Sequence, residues 1–259
     1  LAKLGAEVLS LNPYASTNKA LTFDRWQHAG EVAELVRAAG AHLGAVFDSD
    51  GEHLTLVDDS GHVLSDDESL LTLLQLVLDT SDRPTVALPV AATRAVEDMT
   101  NRAGATLIWT KLSTPHLMEV ASTPGVDFAA SQEGGFIFPP FLPAYDAVAT
   151  FVKTLSLLAA TGTRLSSVVA RLPRVHIVHE SVVTPWEQKG LVMRTIVERT
   201  KDREHVLVDG VKVLHDDGWA LVLPDPEEPI THVWAEGKSD AEARTRAQEY
   251  ARRIRQMLR

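Results

Sequence analysis

The sequence predicts an α/β chain: two α/β units with mixed sheets, then an α+β C-terminal domain. Three observations carry this. Helix-period and strand-period segments alternate through the first two thirds, the mark of βαβ layers with mainly parallel sheets. The alternation restarts near residue 83 with a second set of similar size. The last part instead gathers three strand-like pieces between two helices. A chain of 259 residues has room for one to three cores.

In the first unit, Val8 to Leu11 reads as a short strand closed by Asn12-Pro13. Helical spacing runs from Glu31 to Ala39, with Val32, Leu35 and Val36 on one face and Gly40 as C-cap. The apolar run Leu43 to Phe47 predicts a strand buried on both faces. His53 to Val57 and Val63-Leu64 follow as strands. Ser65 and Glu68 form a capping-box pattern that opens a helix to Leu78. In the second unit, Thr85 to Leu88 is a strand, Thr93 to Ala103 a helix ended by Gly104, and Thr106 to Trp109 a strand. A short helix around Leu117, the strand Asp127 to Ala130, a Gly-Gly turn and a long apolar helix from Ala144 to Ala160 complete it. The last domain has an extended segment from Val175 to Val182 and a helix from Trp186 to Thr200, with Pro185 at its favoured first position. Strand pieces follow at Val206 to Val208 with Val211 to Val213, at Ala220 to Leu223 and at Thr231 to Ala235. A final helix opens at Ser239-Asp-Ala-Glu242, a second capping-box pattern, with apolar spacing at Ala247, Ala251, Ile254 and Leu258.

Composition excludes several functions. The chain has 25 Lys+Arg against 35 Asp+Glu, a formal net charge of −10, which argues against nucleic-acid and anionic-membrane partners. The cluster Arg252, Arg253, Arg255 and Arg259 complements a helix C-terminus. With no cysteine there is no disulfide, thiolate metal site or cysteine nucleophile. No apolar run reaches the ~20 residues of a membrane span and no signal peptide is visible, so a cytoplasmic protein is expected. Leu1 reads as a cut point in a longer protein.

Few residues suggest chemistry. Asp48, Asp50 and Glu52 alternate through a Gly-containing loop, so three carboxylates could converge on one hard cation such as Mg²⁺; the same residues also make an ordinary polar turn. His176 and His179 point to opposite faces of a strand and do not share a metal. His53, His62 and His116 lack partners at ligand spacing. Trp186 and Met193 read as packing residues. No nucleophile elbow, P-loop or dinucleotide fingerprint is present, and no catalytic residue is assigned.

The run Leu43-Gly-Ala-Val-Phe-Asp-Ser-Asp-Gly-Glu-His53, continued by 56–61 and 66–71, resembles the metal loop of the α-D-phosphohexomutases, the phosphomannomutase/phosphoglucomutase superfamily. That loop reads D-G-D-G-D-R. Further along, Gln132 to Phe138 with Asp146 resembles the sugar-recognition loop and its helix. Asp209 to Val213, Gly218 to Val222 and Glu228-Pro229 resemble the C-terminal phosphate-binding domain. The resemblance implies three of four family domains: 1–82 the second, 83–174 the third and 175–259 the fourth. The first, which carries the reactive phosphoserine, has no counterpart here.

The retained loops depart from the family pattern. Ser49, Glu52 and His53 replace Gly, Asp and Arg, and the longer Glu side chain weighs against Mg²⁺. Ser131 stands where the family's sugar-gripping glutamate lies, with Glu133, Gly134 and Gly135 beside it. Ser113-Thr-Pro115 lacks the lysine of the Gly-x-Lys element. The phosphate loop R-x-S-G-T-E-P-x-x-R becomes Leu223-Pro-Asp-Pro-Glu-Glu-Pro-Ile-Thr-His232. Both arginines are lost, Asp225 and Glu227 replace hydroxyl residues, Glu228 remains, and Pro226 removes an N–H. Carboxylates ~5 Å from a phosphate repel it by several kcal/mol per pair at an effective dielectric near ~20. The segment Thr184 to Arg194 narrows the resemblance to mutase-like regions fused behind bacterial mannose-1-phosphate guanylyltransferases. The resemblance thus implies a catalytically silent module that works with upstream domains of the same polypeptide. The alternatives are an active Mg²⁺-dependent phosphohexomutase whose serine domain lies outside this chain, and a module that binds a sugar or nucleotide.

Overall fold

The structure, a computed structural model, describes residues 1–12 and 24–258. The expectations at Pro13 and Arg259 lie outside the described residues. Two compact units emerge: Leu1–Ala87 with Met99–Ile108 and Leu117–Leu172, and Leu88–Asp98 with Trp109–His116 and Pro173–Arg259. The segment 1–82 thus falls in the first unit and 175–259 in the second, while 83–174 contributes to both. Among the described residues no helix is long and apolar enough to cross a membrane.

In the first unit, α1 (Arg25–Ala39) begins at Asp24, whose carboxylate accepts from the amides of Trp26 and Gln27. It packs on an antiparallel hairpin of β1 (Gly44–Phe47) and β2 (Leu54–Val57). Gly44 permits this approach, since a Cβ there would lie 2.6 Å from Val32 and 2.8 Å from Val36. This corrects two expectations. The run 43–47 alternates buried and open, so one face is closed and the other only partly covered, with the 37% exposed Phe47 ring edge-on to Phe151. Val8 to Leu11 forms no strand; its side chains are exposed. Val63 makes a single bridge to Val57 rather than a strand.

Helix α2 (Asp66–Thr80) has the predicted capping box of Ser65 and Glu68. Between Ser69 and Leu78 every residue but Gln75 is buried, with Leu70, Leu71, Leu73, Leu74 and Leu76 almost fully so, as in a central core helix. A mixed sheet follows, in the order β4 (Thr106–Thr110), β3 (Thr85–Pro89), β5 (Phe128–Ala130), β6 (Phe136–Ile137). β3 and β5 run parallel, and β4 runs parallel to β3, with the Thr106 amide on the Pro84 carbonyl at one end and the Val90 amide on the Thr110 carbonyl at the other. β5 and β6 are antiparallel, so this sheet is mixed and mainly parallel, as the alternation predicts. Helices α3 (Ala95–Ala103), α4 (Thr114–Ala121) and α5 (Ala147–Thr161) match the predicted periodicity, and α6 (Leu165–Val169) is additional.

The second unit holds an antiparallel sheet in the order β7 (Ile177–Val183), β11 (Ile230–Glu236), β10 (Gly218–Pro224), β9 (Val211–His215), β8 (His205–Val206). Helices α7 (Trp186–Arg199) and α8 (Asp240–Met257) pack on it. Val192 and Ile196 of α7 and Ala247, Tyr250, Ala251 and Ile254 of α8 join Val213, Val222, Val233 and Ala235 in one core. Pro185 sits at the N-cap rather than the first helical position. Trp186 is exposed rather than packed, whereas Met193 does lie against the core. At Ser239 the hydroxyl caps Glu242, but the Glu242 carboxylate takes the amide of Lys238, one residue outside a closed box.

Candidate functional site

Two groups of candidate residues exist, each within its own unit. In the first unit the 48–53 loop tightens the β1–β2 hairpin. The Asp48 amide bonds the His53 carbonyl at 3.1 Å, and Gly51 takes the positive φ of 74° that the turn needs. The Asp48 carboxylate accepts from the Glu52 amide and from His53 Nδ1, both at 2.9 Å. Burial pushes the Asp48 carboxyl up, but the bonds from His53 and the backbone outweigh it and hold it below the usual range. Asp50 accepts from Ser49 Oγ at 3.3 Å, and Asp50 and Glu52 are exposed.

The alternation of Asp48, Asp50 and Glu52 therefore does not gather ligands. Among the described residues no group of three or more His, Cys, Asp or Glu side chains could hold a metal ion. Both Asp48 oxygens are engaged within the loop, and these residues do not fit Mg²⁺, which needs several oxygens at near-octahedral positions.

The 131–135 turn is zipped onto this loop. Ser131 Oγ accepts from the amides of Glu133 and Gly135, and the Ser131 amide bonds the Gly135 carbonyl. The Leu54 amide donates to the Gly134 carbonyl at 3.1 Å, and His53 bridges Gly135. Tyr145 lies against the His53 ring, and the Ala147 amide bonds the Gly51 carbonyl. The structure thus brings Ser131, Glu133, Gly134 and Gly135 beside Asp48 and His53. Ser131 organises the turn, and Glu133 is the exposed carboxylate.

Sequence reasoning missed the residue that ties these pieces together. Arg25 donates to Asp66 Oδ2 at 2.6 Å and to the Glu133 carbonyl at 3.0 Å. Burial raises the Asp66 carboxyl above its usual value, and the Arg25 guanidinium partly offsets that. The only local signal was a capped helix start at Asp24-Arg25.

In the second unit, Asp225, Glu227 and Glu228 lie in the turn between β10 and β11, and His232 stands on β11 beside it. The Asp225 carboxylate accepts from the amides of Glu227 and Glu228, both at 2.7 Å, and from His232 Nε2 at 2.9 Å. The His232 bond, then the two amides, pull its carboxyl down to about 2. An oxyanion is thus already seated on the backbone donors, and it belongs to the chain. Lys189 of α7 donates to the carbonyls of Asp225 and Glu228, each at 2.5 Å, while lying 3.6 Å from the centre of the Trp186 ring. Glu227 and Glu228 are exposed. Lys189, His179 and Trp234 were not singled out as parts of this turn's surroundings. His179 and Trp234 are linked by cross-strand pairing, which becomes visible only once β7 and β11 are in register, whereas Lys189 reaches the turn from α7.

Three further histidines have partners elsewhere. His62 bonds Glu68, His176 bonds Asp240, and His116 Nδ1 accepts from the Lys111 amide.

Comparison with known proteins places these loops in context. Residues 65–175 match a family model described as phosphoglucomutase/phosphomannomutase, alpha/beta/alpha domain III. A probable phosphoglucosamine mutase of Methanopyrus kandleri is 28% identical, covering 100% of this chain and 58% of its own length. A phosphoglucomutase/phosphomannomutase of Thermococcus kodakarensis is 25% identical over 82% of this chain and 46% of its own. A phosphoglucomutase/phosphomannomutase family protein from Burkholderia thailandensis shares the fold with a TM-score of 0.73 at 22% identity, over 88% of this chain and 49% of that one. The chain spans about half the length of the curated relatives it matches.

Proposed function

We propose that this chain, whose residues 65–175 match a phosphoglucomutase/phosphomannomutase domain III model, belongs to the α-D-phosphohexomutase superfamily and is the hexose-recognising part of an intramolecular phosphotransferase. The reaction interconverts a hexose or amino-hexose 6-phosphate and 1-phosphate. The carrying observation is the match along 100% of this chain to a protein named a probable phosphoglucosamine mutase. In this reading residues 1–82, 83–174 and 175–259 supply the second, third and fourth domains, and the serine that carries the phosphoryl group lies outside them. Glu133 and Ser131 face the sugar, positioned through Arg25. No step is routed through Mg²⁺, because the 48–53 loop does not fit it. The Asp225 turn must open before its amides can take a substrate phosphate.

A second reading rests on that same turn. With Asp225 on the Glu227 and Glu228 amides and no arginine in 223–232, the module is catalytically silent. It then serves a cytoplasmic sugar-nucleotide enzyme of mannose-1-phosphate guanylyltransferase type through upstream domains of the same polypeptide. Assay of the full-length protein with hexose 6-phosphates, following the 1-phosphate by phosphorus NMR, separates the two. Turnover, with a lower KM in Asp225→Ser, supports the mutase reading. No 1-phosphate from any hexose 6-phosphate overturns it in favour of the silent module.

A further inference from the structure

The face of the C-terminal sheet away from α7 and α8 carries a chain of polar contacts that neither reading uses. Alternation along β11 buries Thr231, Val233 and Ala235 toward the helices and turns His232 and Trp234 the other way. His179 pairs with Trp234 in register and shares that face. Its ring stacks on the indole at 4.5 Å and 16°, and its Nε2 lies 2.9 Å from His232 Nδ1. His232 Nε2 in turn reaches Asp225 at 2.9 Å.

The proton positions follow from donor counting. Asp225 is ionised and already accepts from two amides, so His232 Nε2 carries a proton and donates to it. In the neutral ring His232 Nδ1 is then an acceptor, and His179 Nε2 donates. One added proton on the pair leaves both bonds in place, because a single N–H still lies between the rings. A second sets N–H against N–H and cannot be held at 2.9 Å.

We propose that Asp225, His232 and His179 form a proton-counting latch on the 225–232 turn. The first proton enters at His179 Nδ1 while the Nε2 proton passes to His232 Nδ1, which converts the Asp225–His232 contact into an ion pair and clamps the turn. The second parts His179 from His232 and lifts it from Trp234. The first uptake belongs to the pair rather than to either ring. The surrounding charges leave this logic intact. Glu180 of β7 points to the helix side, 3.7 Å from Arg255 of α8, and Lys189 of α7 is held by the carbonyls of Asp225 and Glu228. Glu227 and Glu228 are exposed. Burial, then His232, hold the His179 ring below the ordinary histidine value, with Glu180 opposing, the direction a resisted second proton requires. The latch does not depend on whether the chain turns over a sugar phosphate.

The test is a titration of assigned histidine ring resonances in the 259-residue chain, from about pH 9 to about pH 4. The expected result is two steps for this pair separated by at least about one pH unit, with the Glu227 and Glu228 amide resonances moving in the first. His179→Gln should leave one step on His232, and Asp225→Asn should lower the first step. Two rings that each titrate once near the ordinary histidine value, with His232 unmoved in His179→Gln, would overturn the proposal. The wild-type profile decides it without either variant.

Discussion

Arg25, at the start of α1, donates to Asp66, at the start of α2, at 2.6 Å, and its second amino group holds the Glu133 carbonyl at 3.0 Å. One side chain thus joins two helix starts and the 131–135 turn. Arg25→Ala leaves a half-buried carboxylate and a carbonyl without their donor, at an expected cost of about 1–3 kcal/mol. Urea unfolding measures it. The Arg25→Ala/Asp66→Asn double variant should lose less than the sum of the two single losses, because the two residues are coupled.

Gly134 is held at a φ of 83°, and a Cβ there would sit 2.8 Å from the Leu54 carbonyl oxygen. Gly134→Ala therefore meets both an unfavourable backbone conformation and a backbone clash. The expected loss is about 1–3 kcal/mol. An unchanged unfolding midpoint would show that the 131–135 turn is not zipped to β2 as described.

Lys212 is buried, with its ammonium on the Val90 carbonyl at 2.7 Å and between the rings of Trp109 and Trp219. Burial brings its pKa from 10.5 down to about 8, although Glu97 and Glu236 pull the other way. Between those values the unfolded chain binds the extra proton, so stability rises as pH goes from 8 toward 10.5. The rise is on the order of 3 kcal/mol at most. Lys212→Met should remove it, as read from the difference between the two stability–pH curves.

Lys189 ties α7 to the carbonyls of Asp225 and Glu228. Lys189→Met should loosen the turn without disturbing the sheet. Hydrogen exchange should quicken roughly tenfold at the Glu227 and Glu228 amides, equivalent to about 1.4 kcal/mol, while the amides of β10 keep their protection.

What the sequence made legible follows from how local each signal is. Capping at Ser65, the apolar period of α5 and the strand runs of the C-terminal domain are properties of neighbouring residues, and the structure has them where the spacing put them. The direction of pairing is not local. The apolar run 43–47 reads as a strand buried on both faces, yet β1 turns back at once through 48–53 into an antiparallel hairpin. Trp186 matched a packing period, but it lies in the first turn of α7 with Lys189 over its ring, and half of it is exposed. In the candidate sites, the replacement of phosphate-binding residues by Asp225 and Glu227 was visible as chemistry. That Asp225 would accept from the Glu227 and Glu228 amides, and that His179 would reach His232, required a folded turn and a strand register. Arg25 lies 108 residues from Glu133, a contact that no periodicity announces.

The central claim is that Asp225 occupies the backbone donors a phosphate would need. Calorimetric titration of the 259-residue chain with inorganic phosphate and with a hexose 6-phosphate tests it most directly. Wild-type binding of both ligands should be at least about tenfold weaker than that of Asp225→Ser, which frees the Glu227 and Glu228 amides without an opening step. Wild-type binding as tight as that of Asp225→Ser would contradict it.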